Sequence, residues 1–206
     1  MYTLFVSKIS KLLNLNQWEP QHIYEKAVCF REFGTKVPKI YMYFLTKTEL
    51  PILKYVPKTL RNSTMKKKLI KYEDRCKFGT NNEALVIEHL KQNGWNIIGQ
   101  QKLVKFQIND FWQIAGKVDA LREYARGGNR LIEVKCRVNC FVGVRTSEMV
   151  QLQLYLLSTG LKSCLFVEAC GNEVQVHTIT KDDVYLRILV DAIGNLTNHL
   201  DRNRLK

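Results

Sequence analysis

The sequence lacks the features that would assign it to a membrane, to secretion or to zinc chemistry. No stretch approaches the roughly 18 uninterrupted apolar residues of a membrane-spanning helix, so we expect no membrane partner. The start, MYTLFVSKISKLLNL, has no basic segment followed by a clean apolar run, and therefore predicts no signal peptide. The four histidines are scattered and form no zinc-binding spacing.

The six cysteines include no C-x-x-C pair. Several lie inside apolar strand-like patterns, where cysteine behaves as a small hydrophobic residue. This usage favours a reducing, intracellular location over secretion. The spacing Cys136-x-x-x-Cys140 leaves a metal or iron–sulfur cluster as a weaker alternative, because it matches no established ligand pattern.

What the sequence does have is positive charge, and it is unevenly distributed. The net charge is +13 in 206 residues. Residues 1–78 hold 16 basic and 6 acidic residues, a net of +10, whereas residues 79–206 hold 16 and 13, a net of +3. The imbalance suggests a polyanionic partner such as nucleic acid, with simple solubility as the alternative.

The sequence predicts two regions, which meet between residues 78 and 79. Residues 1–78 are predicted to be a helical, basic N-terminal region that binds DNA, with helices over 3–15 and 20–33. Its most basic run, Lys66, Lys67 and Lys68, is either a solvated face or a segment that follows the nucleic-acid backbone.

Residues 79–206 predict an α/β core with a mixed central sheet flanked by helices. A helix starts after Gly79 and ends at Gly94, and ARGGN at 125–129 is typical of a hairpin turn. The remaining predicted elements are strands over 96–107, 112–124, 130–138, 162–169 and 173–179, and helices over 146–159 and 181–200.

The stretch LIEVKCR carries the chemistry. Because side chains alternate along a strand, Glu133 and Lys135 share one face between apolar residues of the other. The hairpin through ARGGN should place Asp119 roughly opposite Lys135, within a residue or two of Glu133. A cross-strand ion pair is the plainer interpretation of such a motif.

Two neighbouring carboxylates repel, so one takes up a proton unless a cation lies between them. Mg²⁺ prefers carboxylate oxygens and retains water ligands, and a lysine beside it can stabilise developing negative charge. These groups suit metal-assisted hydrolysis of a phosphodiester.

Four motifs in order resemble the PD-(D/E)XK nuclease superfamily, in its RecB-like and phage lambda-type (YqaJ-like) exonuclease branch. They are Gly79-x-x-x-Glu83, Gly116-x-x-Asp119, Glu133-x-Lys135 and Gln151-x-x-x-Tyr155. Val118 stands where the family name has proline, and SKISKLLNLNQWEP is similar to the opening of viral and phage lambda-type exonucleases. The resemblance implies a restriction-endonuclease-like core over 79–206.

The resemblance also implies roles for individual residues. Asp119, Glu133, the Val134 carbonyl and Glu83 would hold the metal, with Glu83 acting directly or through water. Lys135 would orient the water or stabilise the pentavalent phosphate, and Gln151 would bind near Lys135 or the scissile strand. The residues expected to contact nucleic acid are Tyr155, Arg137, Arg145, Lys66, Lys67 and Lys68. Tyr155 could equally be a packing aromatic, and Glu83 a helix-start carboxylate.

By resemblance, the expected function is a Mg²⁺-dependent DNA exonuclease, with Mn²⁺ able to substitute, acting in recombination, repair or replication. Linear duplex DNA with a free end is the expected substrate, a recombinase or single-strand-binding protein a conceivable partner, and a homo-oligomer a conceivable state. If the source is a virus or phage, the protein would act inside the host cell, in its cytoplasm or nucleus. The alternatives are a structure-specific endonuclease, an RNA-cutting enzyme, or a non-catalytic nucleic-acid-binding module on the same fold.

Overall fold

The computed structural model describes residues 1–13, 15, 79, 82–125 and 127–204, and these form six strands and four helices. In chain order the elements are β1 Tyr2–Phe5, α1 Val6–Leu12, α2 over 82–92, β2 Ile97–Gln107, β3 Trp112–Glu123, β4 Asn129–Arg137, α3 Thr146–Thr159, β5 Ser163–Cys170, β6 Glu173–Thr180 and α4 Asp183–Arg204. The predicted order of helices and strands after residue 79 is confirmed.

The strands form one mixed sheet in the order β1-β3-β4-β5-β6, with β2 also paired to β3. The β2–β3, β3–β4 and β5–β6 pairs are antiparallel, while β1–β3 and β4–β5 are parallel. The β4–β5 crossover passes through α3, as a parallel connection requires. A mixed sheet flanked by helices confirms the predicted restriction-endonuclease-like α/β fold.

One edge of strand β3 pairs with two different strands. β2 pairs along it from Gln113 to Arg122, so β1 and β4 must share the opposite edge. β1 pairs with residues 112–115 and β4 with residues 120–123. Within the described part of the chain, no strand pairs with residues 116–119 on that edge, which opens a gap between β1 and β4.

The two faces of the sheet are covered by different helices. One core, which includes Leu131 and Phe166, lies under α1, α3 and α4, and the other, which includes Ile132 and Val167, lies under α2. Burying both faces explains why β5 is almost continuously apolar and why residues 131–134 of β4 are all buried. Carboxylates on β4 therefore lie inside the protein and not on its surface.

The predicted helix over 3–15 is wrong at its start. Tyr2–Phe5 is a strand that pairs in parallel with β3, and the helix covers Val6–Leu12. Leu4 and Ile9 are fully buried in the larger core. Residues 2–12 therefore belong to the sheet and its packing, and the proposed boundary at residue 78 does not hold for them.

The rest of the predicted N-terminal region lies outside the described residues, including the helix over 20–33, so its separate character stays a prediction. Among the described helices, none is both long and apolar enough to cross a membrane.

Candidate active site

The candidate site lies in the gap between β1 and β4, where Asp119 interrupts the regular alternation of β3. Val118 packs into the core under α3, whereas Ala120 packs into the core under α2. Successive even-numbered residues of a regular strand would share one face. The strand therefore twists at Asp119, and its carboxylate Oδ2 accepts a hydrogen bond from the Val134 N–H at 2.8 Å.

The register of the hairpin differs slightly from the prediction. Ala120 pairs with Ile132, so one step further along this register brings Asp119 level with Glu133, not with Lys135. The turn is centred about one residue earlier than expected, with Gly127 and Gly128 both at positive φ. The correction places the two carboxylates closer together than the sequence suggested.

Glu133 is buried, with 2 % of its surface exposed. Its Oε1 accepts hydrogen bonds from the Lys135 ammonium and from Gln151 Nε2, the latter at 2.7 Å. Its Oε2 is buried and has no hydrogen-bond partner within the described structure. A buried carboxylate oxygen without a donor is costly unless a proton or a cation satisfies it, and the neighbouring acid Asp119 makes a shared cation a suitable partner.

Burial dominates the ionisation of both acids. It raises the pKa of Asp119 to about 7, with partial compensation by Lys135 and a further rise from nearby Glu83. Burial likewise raises the pKa of Glu133 to about 8, against the lowering effect of Lys135, with Asp119 adding to the rise. Perturbed acids that interact with each other are typical of functional sites.

Lys135 remains positively charged beside these acids. Burial works to lower its pKa, but Glu133 and Asp119 raise it overall. Its side chain is 28 % exposed, so the ammonium borders both the acids and the solvent. A single lysine does not neutralise three carboxylates, which leaves room for a further cation.

Gln151 and Tyr155 share one face of α3, as the Q-x-x-x-Y spacing predicts. Gln151 Nε2 also contacts the Tyr155 hydroxyl at 3.1 Å, and that hydroxyl donates to the Lys117 carbonyl at 2.8 Å. Tyr155 is 2 % exposed. Its predicted contact with nucleic acid therefore has no support, because the side chain is enclosed and instead ties α3 to the unpaired edge of β3.

Gly116 makes this arrangement possible. A Cβ atom at this position would lie 2.6 Å from Tyr155 Cε1 and 3.0 Å from Val6 Cβ. Contacts below 3 Å between such atoms cannot be accommodated without movement, so the glycine of the G-x-x-D motif creates space for the tyrosine of the other motif.

Glu83 approaches from the opposite face of the sheet, on α2. It is close enough to Asp119 to raise the pKa of that acid, and its Oε1 accepts a hydrogen bond from Gln101 Nε2 at 2.6 Å. The structure thus brings together the predicted residues of α2, β3, β4 and α3, which are Glu83, Asp119, Glu133, Lys135 and Gln151.

The acids fit a hard divalent cation. Mg²⁺ is commonly held by one or two carboxylates together with water. Within the described residues, no three His, Cys, Asp or Glu side chains form a ready ligand set. Asp119 and the unpaired oxygen of Glu133 would therefore hold the ion, and Glu83 would act through water, with the Val134 carbonyl as a neighbouring oxygen.

Arg137 has a different environment from the one predicted. Its guanidinium pairs with both oxygens of Glu148, at 2.8 and 3.0 Å, and its Nε donates to Glu168 at 2.6 Å. Nη2 also donates to the Gly143 carbonyl at 3.1 Å. With its guanidinium paired internally and its side chain 10 % exposed, Arg137 stabilises the fold, and its phosphate contact stays a prediction.

The other predicted nucleic-acid contacts fall into two groups. Arg145 is exposed at the start of α3, which suits a phosphate contact. Lys66, Lys67 and Lys68 lie outside the described residues, so their contacts stay a prediction.

Three residues near the site were not identified from the sequence. Glu148 and Glu168 are the partners of Arg137, and Gln101 is the partner of Glu83. Gln101 and Glu168 lie on strands that carry no motif. Only Glu148, three residues before Gln151, could have been suspected.

Several solved structures with a similar fold are named as exonucleases. The chain is similar to an alkaline exonuclease (LHK-Exo) from Laribacter hongkongensis, with a TM-score of 0.63, 15% identity, and coverage of 98% of this chain and 89% of that chain. A complex of LHK-Exo with dAMP gives a TM-score of 0.61 at 14% identity, covering 98% of this chain and 89% of that one.

A phage-related exonuclease from Haemophilus somnus 129PT is also similar, with a TM-score of 0.55, 12% identity, and coverage of 97% of this chain and 94% of that chain. Neither a protein-family model nor a curated protein matches the sequence. At these identities the likeness establishes a shared fold, and activity has to be argued from the site.

Proposed function

We propose that this protein is a divalent-cation-dependent nuclease that hydrolyses phosphodiester bonds of DNA, acting as an exonuclease on linear duplex. One observation carries the proposal. The buried, unpaired Oε2 of Glu133 lies beside Asp119 and Lys135, on the fold of structures named as exonucleases. Mg²⁺ is the proposed ion, with Mn²⁺ as a substitute, because the available ligands are carboxylate oxygens.

Each side chain has a distinct task in this reaction. Asp119 and Glu133 would hold the ion, which when bound supplies Lewis acidity and lowers the pKa of water. Lys135 presents a fixed positive charge where negative charge develops on the phosphate oxygens. The water oxygen forms a bond to phosphorus as the bond from phosphorus to the sugar oxygen breaks. The water gives up one proton, and the departing sugar oxygen takes up one, so that protons and P–O bonds balance.

Gln151 keeps Glu133 in position. By donating to Oε1, it shares that oxygen with Lys135 and leaves Oε2 turned away from both donors. Tyr155 in turn fixes Gln151 and the Lys117 carbonyl. This chain of contacts supports a site that is already assembled before the substrate arrives.

The surroundings suit a nucleic-acid strand. A cleft of about 490 Å³ lies on the α2 side of the sheet; its lining includes Asn82, Cys136 and Arg137, which adjoin the acid-bearing segments in sequence, but none of the acids themselves. The net charge of +10 in residues 1–78 and the exposed Arg145 favour attraction of phosphates. DNA is proposed as the substrate because several similar structures are named as exonucleases and one of these was solved with dAMP. A role in recombination, repair or replication is part of the same proposal.

The test is digestion of end-labelled linear duplex DNA with Mg²⁺, followed over time. We expect labelled mononucleotides or short products to appear, no cleavage in EDTA, and no cleavage by Asp119→Asn. Glu88→Gln is the matched control, since Glu88 is an exposed carboxylate of α2 paired with Lys91.

Closed circular DNA and RNA complete the design. An exonuclease leaves closed circular duplex intact, so cutting of the circle would point to an endonuclease, and preferential cutting of RNA would point to a ribonuclease. DNA binding that is indifferent to EDTA, with no cleavage of any substrate, would contradict the proposal and favour a non-catalytic binding module.

A further inference from the structure

Strand β2 is irregular directly opposite the site. Gln101 has a φ of +50° and is the sole non-glycine residue with positive φ in the described part of the chain. Its neighbours pair regularly, Gln100 with Ala120 and Lys102 with Val118, so Gln101 lies opposite Asp119. The distortion of β2 and the twist of β3 therefore occur at the same level of the sheet.

The side chain of Gln101 connects β2 to α2. The Gln101 amide donates from Nε2 to Oε1 of Glu83 at 2.6 Å, which joins the sheet to the helix. α2 otherwise rests on the sheet through buried apolar side chains such as Val86, Ile87 and Leu90. Apolar packing does not fix where a carboxylate points, whereas a short hydrogen bond does.

Stability alone does not account for Gln101. The left-handed region is disfavoured for a residue with a Cβ atom and a long side chain. The hydrogen bond that accompanies it is solvent-exposed, and exposed hydrogen bonds add little to folding. Backbone strain kept without a gain in stability is typical of functional sites.

We propose that Gln101 is a positioning residue that holds the Glu83 carboxylate toward Asp119, so that Glu83 can support the bound divalent cation. The proposal rests on the proposed function. Ligand-orienting hydrogen bonds of this type change metal affinity about 10- to 100-fold when removed. Gln101 would act on cation affinity and not touch the reacting phosphate.

Two variants separate the effect of the Gln101 side chain from the effect of its backbone conformation. Gln101→Asn keeps a residue that tolerates positive φ, but its amide is one methylene shorter and cannot reach Glu83. Gln101→Gly removes both the amide and the strain. Gln100→Ala, at the neighbouring exposed position, is the matched control.

The measurement is calorimetric titration of Mn²⁺ into metal-free full-length protein, with the Tm recorded for each variant in EDTA. We expect Gln101→Asn and Gln101→Gly to weaken Mn²⁺ binding about tenfold or more. The Tm in EDTA should be unchanged for Asn and unchanged or higher for Gly, while Gln100→Ala should match wild type in both.

Each other outcome overturns the proposal. Mn²⁺ affinity equal to wild type in both Gln101 variants would show that Glu83 needs no such support. A lower Tm in EDTA with unchanged affinity would assign Gln101 a purely structural role. Wild-type protein that binds no Mn²⁺ would instead refute the proposed function, and the role of Gln101 with it.

Discussion

Two clusters of buried charge lie within a few residues of each other on β4, and they are balanced differently. In the braced cluster, made of Arg137, Glu148 and Glu168, charged atoms find internal partners, including the Val142 and Gly143 N–H groups. In the acid cluster, made of Glu83, Asp119, Glu133 and Lys135, an oxygen of Glu133 remains buried without a donor.

The pKa values of the buried glutamates also differ between the two clusters. Burial works to raise the pKa of Glu168, yet hydrogen bonds from Arg137 and backbone N–H groups bring it below its usual value. The pKa of Glu133, by contrast, is raised to about 8 by burial that Lys135 does not offset. A carboxylate satisfied by the protein itself supports the fold, whereas one left incomplete is suited to an external cation.

The largest expected effect is on the cleavage rate, when the buried Glu133 of the acid cluster is replaced by glutamine. Glu133→Gln should lower kcat by about 10³-fold or more, because each tenfold corresponds to about 1.4 kcal/mol and a metal ligand contributes several. Its folding stability in metal-free protein should change little, because burial already raises the pKa of Glu133 to about 8 and a glutamine keeps an oxygen that accepts from Lys135 and Gln151.

The matched substitution in the braced cluster should behave oppositely. Glu168→Gln is expected to destabilise the protein while cleavage persists in the folded fraction. Cleavage rates and urea unfolding of both variants provide the check. Comparable loss of stability in both would remove the distinction between the clusters.

The next effect concerns the brace itself. Arg137→Ala leaves Glu148 and Glu168 buried without their cation, which typically costs about 3–5 kcal/mol of unfolding free energy. The exposed Arg145→Ala should change stability by less than about 0.5 kcal/mol, but should reduce the salt dependence of DNA binding by about one phosphate contact. Urea unfolding measures the change in unfolding free energy for both variants. A stable Arg137→Ala protein would contradict the assignment of a brace.

A further effect is a dependence of stability on pH. Asp119 and Glu133 have raised pKa values of about 7 and about 8 in the folded, metal-free protein, against about 4 when unfolded. The folded state therefore binds more protons between these values, and its stability should fall as pH rises from about 5 to 8.

The double variant Asp119→Asn, Glu133→Gln is the reference for that measurement. The wild-type protein in EDTA should lose stability relative to this variant between pH 5.5 and 8.5, and Mg²⁺ should reduce the loss because binding replaces the protons. A difference that is constant with pH would mean that the acids ionise normally.

Local signals in the sequence predicted most of the fold. Helix α3 was predicted with its observed limits, since Gly160 ends it at positive φ. The strands from β2 to β6 follow alternating or continuous apolar patterns and glycine turns. β1 was missed because its evidence is non-local, a parallel pairing with Trp112 and its neighbours far along the chain.

The site residues also divide into those with local sequence signals and those that depend on long-range contacts. Asp119, Glu133 and Lys135 could be proposed because two adjacent strands present them to one place. The internal pairing of Arg137 with Glu168 could not be predicted, because Glu168 lies 31 residues away on a strand without a motif. Gln101 could not be predicted, since its contact with Glu83 depends on an irregular backbone conformation and not on a sequence pattern.

The central claim is that the acid cluster binds one divalent cation. The most direct measurement is an anomalous difference map from a crystal of the protein soaked in Mn²⁺. We predict a peak in contact with the carboxylates of Asp119 and Glu133, on the side of the unpaired Oε2. A map with no peak there, or with Mn²⁺ bound solely elsewhere, would contradict the account.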